Sequence, residues 1–245
     1  MSSPPEPVNV PCGAWPSPLT PERTAAGAVS LAWAGMARGA LHWVEGRPAE
    51  RGRSVLVHAG PGADQAVDVV GPDANVRSRV HEYGGLPWTA VGDRMVYAQF
   101  DDQQLRVQAL DGSVQVLTPP GCRYADFAAA PDRHTLVAVR EDHRAPGEPL
   151  NSVVRLDLDR GSDEGHVLFG GTDFVAWPRL SADGRRLAVV SWNHPSMPWD
   201  ETQLQVADLS VGLQPRWQRV AGGPGESVLE PQWDADGSLY FLSDR

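Results

Sequence analysis

Short apolar segments, separated by turn residues, occupy most of the chain. From about residue 29 onward these segments are rich in β-branched residues and too short for ordinary helices, as in SVLVHAG, TLVAVRE and RLAVVSW. Before them, Thr20, Pro21 and Glu22 form a typical helix start, with a capping hydroxyl, a proline and an acid in the first turn. The pattern predicts an all-β protein preceded by an N-terminal segment, residues 1–28, that contains one short helix.

The apolar segments also repeat along the chain. Each copy has a strand, a turn with an aspartate and a strongly apolar second strand, and Asp132, Asp183 and Asp236 hold successive turns. An earlier copy has Gly92 and Asp93 at the turn. An aspartate in this place can accept a hydrogen bond from the backbone two residues later. A repeat of about 40–53 residues with four strands is typical of a β-propeller blade.

The repeats divide residues 29–245 into four blades and half of a fifth. The predicted boundaries are 29–71, 79–119, 123–170, 173–222 and, for the half blade, 227–245. A propeller protects its strand edges by closing into a ring, and four and a half blades do not close. We therefore expect the chain to be the front part of a larger protein.

Composition and charge narrow the expected partners. With 41 % hydrophobic and 21 % charged residues the chain is predicted to fold, and its 25 glycines and 22 prolines fit a turn-rich protein. The net charge is −10, and all 21 cations are arginines with no basic cluster among them. Because nucleic acids and anionic membranes attract basic surfaces, neither is an expected partner.

The cysteines and the N-terminus add two further expectations. Cys12 and Cys122 are too few for a disulfide framework and have no partners at metal-ligand spacing, so we expect free thiols, no metal and no cofactor. The first residues lack the basic and apolar regions of a signal peptide, and no apolar run reaches the roughly 18 residues of a membrane span. These features predict a cytoplasmic protein.

Three long insertions fall between the second and third strands of predicted blades. They are GRPAERG (46–52), EDHRAPGEPLN (141–151) and WNHPSMPWDET (192–202). In a four-stranded blade this hairpin emerges on the same face as the segment that enters the first strand, whereas the turns on the opposite face are minimal here. A functional face is elaborated in this way, although insertions that are merely tolerated would give the same pattern.

The string RVHEYGG, Arg79 to Gly85, enters the second blade on that elaborated face. Its two glycines permit a tight turn, which would place Glu82 and Tyr83 near the central channel. Glu82 is a candidate for binding a cationic group such as a peptide amino terminus, with Tyr83 bonding or packing beside it. In the alternative interpretation Glu82 pairs with Arg79 or a neighbour and the turn is structural.

A second candidate is the proline-bounded loop WNHPSMPWD. Trp192, His194 and Trp199 give it apolar bulk suited to lining a pocket or packing on another domain. The histidines share no metal-ligand spacing, GxSxG is absent, and nothing distinguishes two of the 31 acids as a glycosidase pair. No catalytic residue is therefore nominated within this chain.

At these positions the sequence resembles the prolyl oligopeptidase family, specifically its bacterial acylaminoacyl-peptidase or dipeptidyl-aminopeptidase-like branch. The strings that are similar are CGAWPSP (12–18), RVHEYGG (79–85), RYADFAAAPDRHTLVAVREDH (123–143), PRLSADGRRLAVVSWNHPSMPWDETQLQVADL (178–209) and WDADGSLYFLSDR (233–245). Two positions depart from the family pattern, because Leu86 replaces a common third glycine and Ser196 replaces a common asparagine.

The resemblance implies a seven-bladed propeller followed by an α/β-hydrolase domain with a Ser-Asp-His triad. That domain is not in this chain, so the chain alone is expected to be inactive. The parent protein is expected to hydrolyse short peptides as an aminopeptidase, dipeptidyl-peptidase or acylaminoacyl-peptidase. The propeller would gate and position the substrate, its partners being a short peptide and its own C-terminal hydrolase domain, with a homo-oligomer left open.

Two other classes of protein remain as alternatives. A stand-alone propeller that serves as an interaction module, without catalysis, would require closure by an atypical last blade or by oligomerisation. A glycosidase-like propeller is the second alternative.

Overall fold

A computed structural model describes residues 10–14, 17–25, 27–211 and 215–245 of the chain. It contains four four-stranded antiparallel sheets and one two-stranded sheet, and in every sheet the strands lie side by side in chain order. The strands are β1 (Ser30–Ala37), β2 (Ala40–Arg47), β3 (Arg53–Ala59) and β4 (Val67–Asp68); β5 (Trp88–Val91), β6 (Arg94–Ala98), β7 (Leu105–Gln108) and β8 (Val114–Val116); β9 (Cys122–Ala129), β10 (Thr135–Asp142), β11 (Leu150–Asp157) and β12 (His166–Gly170); β13 (Phe174–Leu180), β14 (Arg186–Trp192), β15 (Gln203–Asp208) and β16 (Trp217–Gly222); β17 (Val228–Trp233) and β18 (Leu239–Ser243).

These sheets confirm the predicted all-β class and the partial propeller of about four and a half blades. Helical structure in the described residues is limited to α1 (Pro21–Ala25) and two 3₁₀ turns. Thr20 caps α1, because its Oγ1 accepts the N–H of Arg23 at 3.1 Å. None of these helices is long and apolar enough to cross a membrane. Residues 1–9 of the N-terminal segment, and Trp15 and Pro16 of the CGAWPSP string, lie outside the described residues.

The aspartate turns that revealed the repeat have the predicted geometry. In three blades the Oδ1 atom of the turn aspartate accepts the backbone N–H two residues later at 2.8–3.1 Å. The residue that follows each aspartate has a positive φ, between 64° and 86°. The pairs of aspartate and amide are Asp132 with His134, Asp183 with Arg185, and Asp236 with Ser238. The side chain thus closes each hairpin between the first and second strands.

The core consists of four apolar clusters, each lying between two consecutive blades. In the second, third and fourth blades the second strand is buried on both faces, which explains its unbroken apolar sequence. In β10, for example, Leu136, Val137, Ala138 and Val139 are all buried, with alternate side chains directed toward opposite neighbours. Each blade therefore depends on the next for the burial of its apolar face.

Tryptophan N–H groups add directional bonds between the blades. Trp88 in β5 donates to the carbonyl of Trp33 in β1 at 2.9 Å, and Trp233 in β17 donates to Arg179 in β13 at the same distance. Trp217 in β16 donates to the third blade in the same manner, at 3.0 Å. Apolar packing alone would allow adjacent sheets to slide past each other, whereas these directional hydrogen bonds determine how the sheets are aligned.

The first strands of four blades share a β-bulge. In each, one extra residue interrupts the pairing with the second strand, and a non-glycine residue there has φ between 49° and 56°. These residues are Trp33 in β1, Asp126 in β9, Trp177 in β13 and Glu230 in β17. Bulges redirect side chains, and bulky residues rarely adopt this left-handed conformation.

We expect Trp88→Phe to lower the free energy of unfolding by about 1–3 kcal/mol, because it leaves the Trp33 carbonyl without its donor and reduces packing between two blades. Trp43→Phe is the matched control, since the Trp43 N–H bonds to Glu45 within its own blade. Urea unfolding followed by circular dichroism measures both variants. An equal loss of free energy of unfolding in the two variants would show that the hydrogen bond between blades contributes no more to stability than the bond within a blade.

Candidate functional site

The long loops occupy the predicted hairpins. Residues 46–52 form the end of β2 and its connection to β3, residues 141–151 run from the end of β10 into β11, and residues 192–202 run from the last residue of β14 to the start of β15. The segment 79–85, which precedes β5, lines cavities with residues from all three of these loops. The structure therefore confirms that the entering segment and the insertions share one face.

The segment 79–85 is a tight, strained turn. His81 and Glu82 have φ values of 54° and 66°, and Gly84 follows with 90°. A Cβ atom at Gly84 would lie 2.8 Å from the carbonyl oxygen of Ser78, so a glycine is required by space as well as by conformation. Two consecutive non-glycine residues in the left-handed region need external support, and such strain is characteristic of functional turns.

Glu141 supplies that support from the third blade. Its side chain is 4 % exposed, and its Oε1 accepts the backbone N–H of His81 at 2.6 Å. Its Oε2 lies 2.9 Å from His143 Nε2 and 3.6 Å from Arg123 Nη1. Burial lowers the pKa of His81, so its ring stays neutral against this carboxylate. The turn is thereby attached to the hairpin formed by β10 and β11.

Glu82 is exposed, but it is already paired. Arg123 Nη1 donates to its Oε1 at 2.6 Å, and Arg79 Nη2 lies 3.9 Å from Oε2. The hydrogen bond from Arg123 lowers the pKa of Glu82 below its ordinary value. These contacts agree with the alternative interpretation of the turn, in which Glu82 pairs with Arg79 or a neighbouring residue. Its side chain is nonetheless 71 % exposed, so carboxylate lone pairs remain open to solvent.

Tyr83 belongs to an aromatic cluster that the structure assembles from three predicted residues. The His81 ring lies 5.8 Å from the Tyr83 ring and 5.8 Å from the Trp192 ring. Phe174 stacks on Trp192 at 5.3 Å, and His194 meets the edge of Phe174 at 5.0 Å. Tyr83, Trp192 and His194 are thus joined through His81 and Phe174. Phe174 was missed, although it stands first in β13 within the repeated Asp-Phe pair.

The loop from 192 to 202 divides its aromatic residues between core and surface. Trp192 ends β14 and is buried, whereas Trp199 is 67 % exposed. Asp173 Oδ2 accepts the N–H of His194 at 2.8 Å, and Ser227 Oγ donates to the carbonyl preceding Trp199 at 2.7 Å. The loop is therefore held at both ends, and it presents Trp199 without burying it.

Two cavities open on either side of His81. The first, about 560 Å³, is largely apolar and includes residues of the 192–202 loop in its lining; the second, about 420 Å³, has four acidic residues in its lining. The apolar cavity is lined by Trp33, Val80, His81, Tyr83, Gly84, Asp126, Ala176, Trp177, Trp192, Met197, Pro198 and Trp199. The acidic cavity is lined by His81, Glu82, Glu141, His143, Glu148, Pro149, Asn151, Asp173, Phe174 and His194. Desolvation, with the nearby carboxylates, raises the pKa of Tyr83, whose hydroxyl therefore remains a hydrogen-bond donor.

Asp126 is the second residue that sequence reasoning missed. From its bulge in the third blade, Oδ1 accepts the N–H of Leu86 at 2.8 Å and Oδ2 accepts the N–H of Trp177 at 3.3 Å. One carboxylate thus connects the second, third and fourth blades at the wall of the apolar cavity. A hydrogen-bond acceptor for two distant amides leaves no periodic signal in a sequence.

Two further features concern metal-ligating side chains and thiols. No group of three or more His, Cys, Asp or Glu side chains in the described ranges could hold a metal ion. Cys12 is exposed and Cys122 is buried, and both are free thiols as predicted.

The fold and this face together define the chain as a partial β-propeller with one elaborated, aromatic and acidic surface. Neither a protein-family model nor a curated protein matches the chain. Among solved structures, a Mycobacterium tuberculosis puromycin-hydrolyzing peptidase is 35 % identical with a TM-score of 0.84, over 97 % of this chain and 39 % of that one. A puromycin hydrolase is 31 % identical with a TM-score of 0.85, over 96 % and 39 %.

These matches show that the chain is homologous to the propeller part of prolyl oligopeptidase-family peptidases. The chain spans 39 % of the length of those two peptidases. TolB from Agrobacterium tumefaciens, at 18 % identity and a TM-score of 0.57, shares the fold alone.

We expect Glu141→Ala to release the 79–85 turn, because it leaves the His81 N–H and Arg123 without their buried partner. The variant should lose about 1–3 kcal/mol of stability, and the His81 amide should exchange with solvent faster than in the parent protein. Hydrogen exchange measured by mass spectrometry tests this. Glu141→Gln keeps an acceptor oxygen and should have the smaller effect; equal effects would contradict the anchoring role.

Proposed function

We propose that this chain is the substrate-facing propeller portion of a serine peptidase that hydrolyses short peptides or aminoacyl amides near their amino end. The observation that supports this most directly is the concentration of long loops, aromatic rings and carboxylates on one face of a chain homologous to the propeller of puromycin-hydrolyzing peptidases. Puromycin is itself an aminoacyl amide with a free amino group, so it is the natural first substrate to test.

Within this proposal the first role of the propeller is exclusion. The hairpins at 46–52, 141–151 and 192–202 narrow the face on which the substrate would arrive. A folded protein is too large to enter cavities of about 420–560 Å³, whereas a short peptide or a single aminoacyl group is not. Under this proposal, folded proteins would be excluded by their size.

The second role is positioning of the amino end. Glu82 has its Oε1 occupied by Arg123, while its Oε2 meets only the more distant Arg79. An incoming ammonium would find open acceptor positions on Oε2, and Tyr83 stands next to it with a neutral hydroxyl. The pairing with Arg123 holds the carboxylate in place, which reduces the entropy lost on binding.

The third role is contact with the catalytic domain. An acyl-enzyme would form on a serine outside these 245 residues, and no residue of this chain takes part in that step. The 192–202 loop, with Trp192, His194 and Trp199, is the candidate contact to such a domain. A cytoplasmic location and the distinction among aminopeptidase, dipeptidyl-peptidase and acylaminoacyl-peptidase remain predictions.

The test of positioning is Glu82→Ala in the full natural protein. We expect kcat/KM for peptides with a free amino terminus to fall about tenfold or more, because an ion pair with the ammonium is lost, while N-acylated peptides are unaffected. Asp64→Ala removes an exposed carboxylate from the loop between β3 and β4 and serves as the matched control. If Glu82→Ala changed kcat/KM equally for peptides with a free amino terminus and for N-acylated peptides, the recognition role would be refuted.

The parent activity has its own, simpler test. Sequencing the reading frame beyond Arg245 should reveal a GxSxG motif followed by an aspartate and a histidine. A stop codon directly after Arg245 would refute the peptidase proposal and favour the stand-alone interaction module.

A further inference from the structure

The acidic cavity has more negative charge than its protein neighbours balance. Its four carboxylates are those of Glu82, Glu141, Glu148 and Asp173. Arg123 Nη1 lies 2.6 Å from Glu82 and 3.6 Å from Glu141, so this half of the set has a cationic partner. Glu148 and Asp173 are exposed and form no ion pair within the part of the chain that the structure describes. The cavity is therefore complementary to a positively charged group.

A buried amide that lines the same cavity also points to a ligand. Asn151, at the start of β11, is 7 % exposed. Its Nδ2 donates to the carbonyl of Asp173 at 2.8 Å, which fixes the orientation of the amide group. Its Oδ1 has no hydrogen-bond partner. Because a buried acceptor without a donor is costly, a ligand that donates an N–H to this oxygen would relieve that cost on binding.

His81 adds a second unpaired atom to the lining. Its Nε2 is buried and has no hydrogen-bond partner, and although Asn151 is its neighbour, no hydrogen bond of normal geometry joins the two side chains. Burial lowers the pKa of His81, so the ring is neutral and one of its nitrogens is an acceptor. A group with several N–H donors is suited to a wall of this kind.

From this geometry we propose that the acidic cavity binds a guanidinium group, supplied by an arginine side chain of the substrate. A guanidinium has five N–H donors in one plane, so it can donate to Asn151 Oδ1 and to a carboxylate at the same time. It is less strongly hydrated than an ammonium and stacks on aromatic rings, and Phe174 and His194 line the cavity. The inference rests on the proposed function, because it takes this face to be the one that meets the substrate.

This site is distinct from the amino-terminal contact proposed at Glu82, although both share the cavity. Glu82 belongs to the segment 79–85, whereas Glu148 and Asn151 belong to the 141–151 loop and Asp173 precedes β13. A substrate residue with its ammonium at Glu82 would therefore direct a long cationic side chain toward carboxylates of other loops. A neutral side chain would leave those carboxylates and the Asn151 oxygen without a partner.

The test is binding of argininol, lysinol and citrullinol to the full natural protein, measured by isothermal titration calorimetry. None of the three has a bond to hydrolyse, and citrullinol replaces the guanidinium by a neutral ureido group of nearly the same shape. We expect argininol to bind about tenfold more tightly than citrullinol, and more tightly than lysinol, because only the guanidinium combines a positive charge with a planar set of donors. Equal affinities of argininol and citrullinol, or tighter binding of lysinol, would overturn the assignment.

Butylguanidinium tests the guanidinium group without an α-amino group. We expect it to displace argininol, since the site proposed here does not depend on the contact at Glu82. Binding of argininol that butylguanidinium does not weaken would show that the α-amino group alone is recognised, and it would refute the inference.

Variants of the 141–151 loop assign the preference to this cavity rather than to a pocket in another domain. Glu148 is exposed and has no ion pair, so Glu148→Gln should fold normally and lose most of the preference for argininol over citrullinol. Asn151→Leu removes the unpaired acceptor without a change of charge and should also reduce the preference. Asp64→Asn, in the exposed loop between β3 and β4, is the control and should change nothing. An undiminished preference in Glu148→Gln would refute the inference, even if Asn151→Leu does not fold.

Hydrolysis assays separate this inference from the proposed function. Cleavage of puromycin and of alanine amides, with arginine amides cleaved no faster than citrulline amides, would refute the cavity assignment alone. Argininol binding that depends on Glu148, in a protein that cleaves no peptide or amide, would refute the peptidase proposal alone.

Discussion

The burial of each blade's apolar face against the next blade is the constraint on which the rest of the structure depends. In the second, third and fourth blades the second strand is buried on both faces, and every core cluster contains residues from two consecutive blades. Each blade therefore relies on a neighbour to bury its apolar face. The candidate functional face also depends on packing between blades, because its residues come from different blades and meet only when the sheets are aligned.

Two carboxylates form hydrogen bonds between blades at the candidate site. Glu141, from the hairpin of the third blade, holds the backbone of the turn that leads into the second, and Asp126 links the second blade to the fourth. Both accept backbone N–H groups, so they determine where the chain runs rather than which side chain touches a ligand. Glu141 thus holds the turn that carries Glu82 and Tyr83, and the precision of the face depends on such buried polar bonds.

Much of the fold could be predicted from the sequence, because repetition amplifies weak local signals. One Asp-Gly turn before an apolar strand is ambiguous, but Asp132, Asp183 and Asp236 at nearly regular spacing are not. The placement of long loops on one face followed from the same reasoning. The site was harder to predict, because Asp126 accepts the N–H of Leu86, 40 residues away along the chain, and Phe174 contacts the rings of Trp192 and His194 on another strand and loop. Periodicity reports burial, not which distant amide a carboxylate will meet.

The bulges show how a repeated scaffold acquires an individual function. Four blades have the same bulge, so its backbone geometry is a property of the fold, and any residue there projects from the same place. Only the side chain differs: Trp33 and Trp177 provide aromatic walls, Asp126 joins three blades, and Glu230 adds a further carboxylate. The free energy of holding such residues in the left-handed region comes from the packing of whole sheets, which far exceeds it. Because the fold supplies the backbone geometry at these four positions, the identities of their side chains, more than the fold, determine what the face can bind.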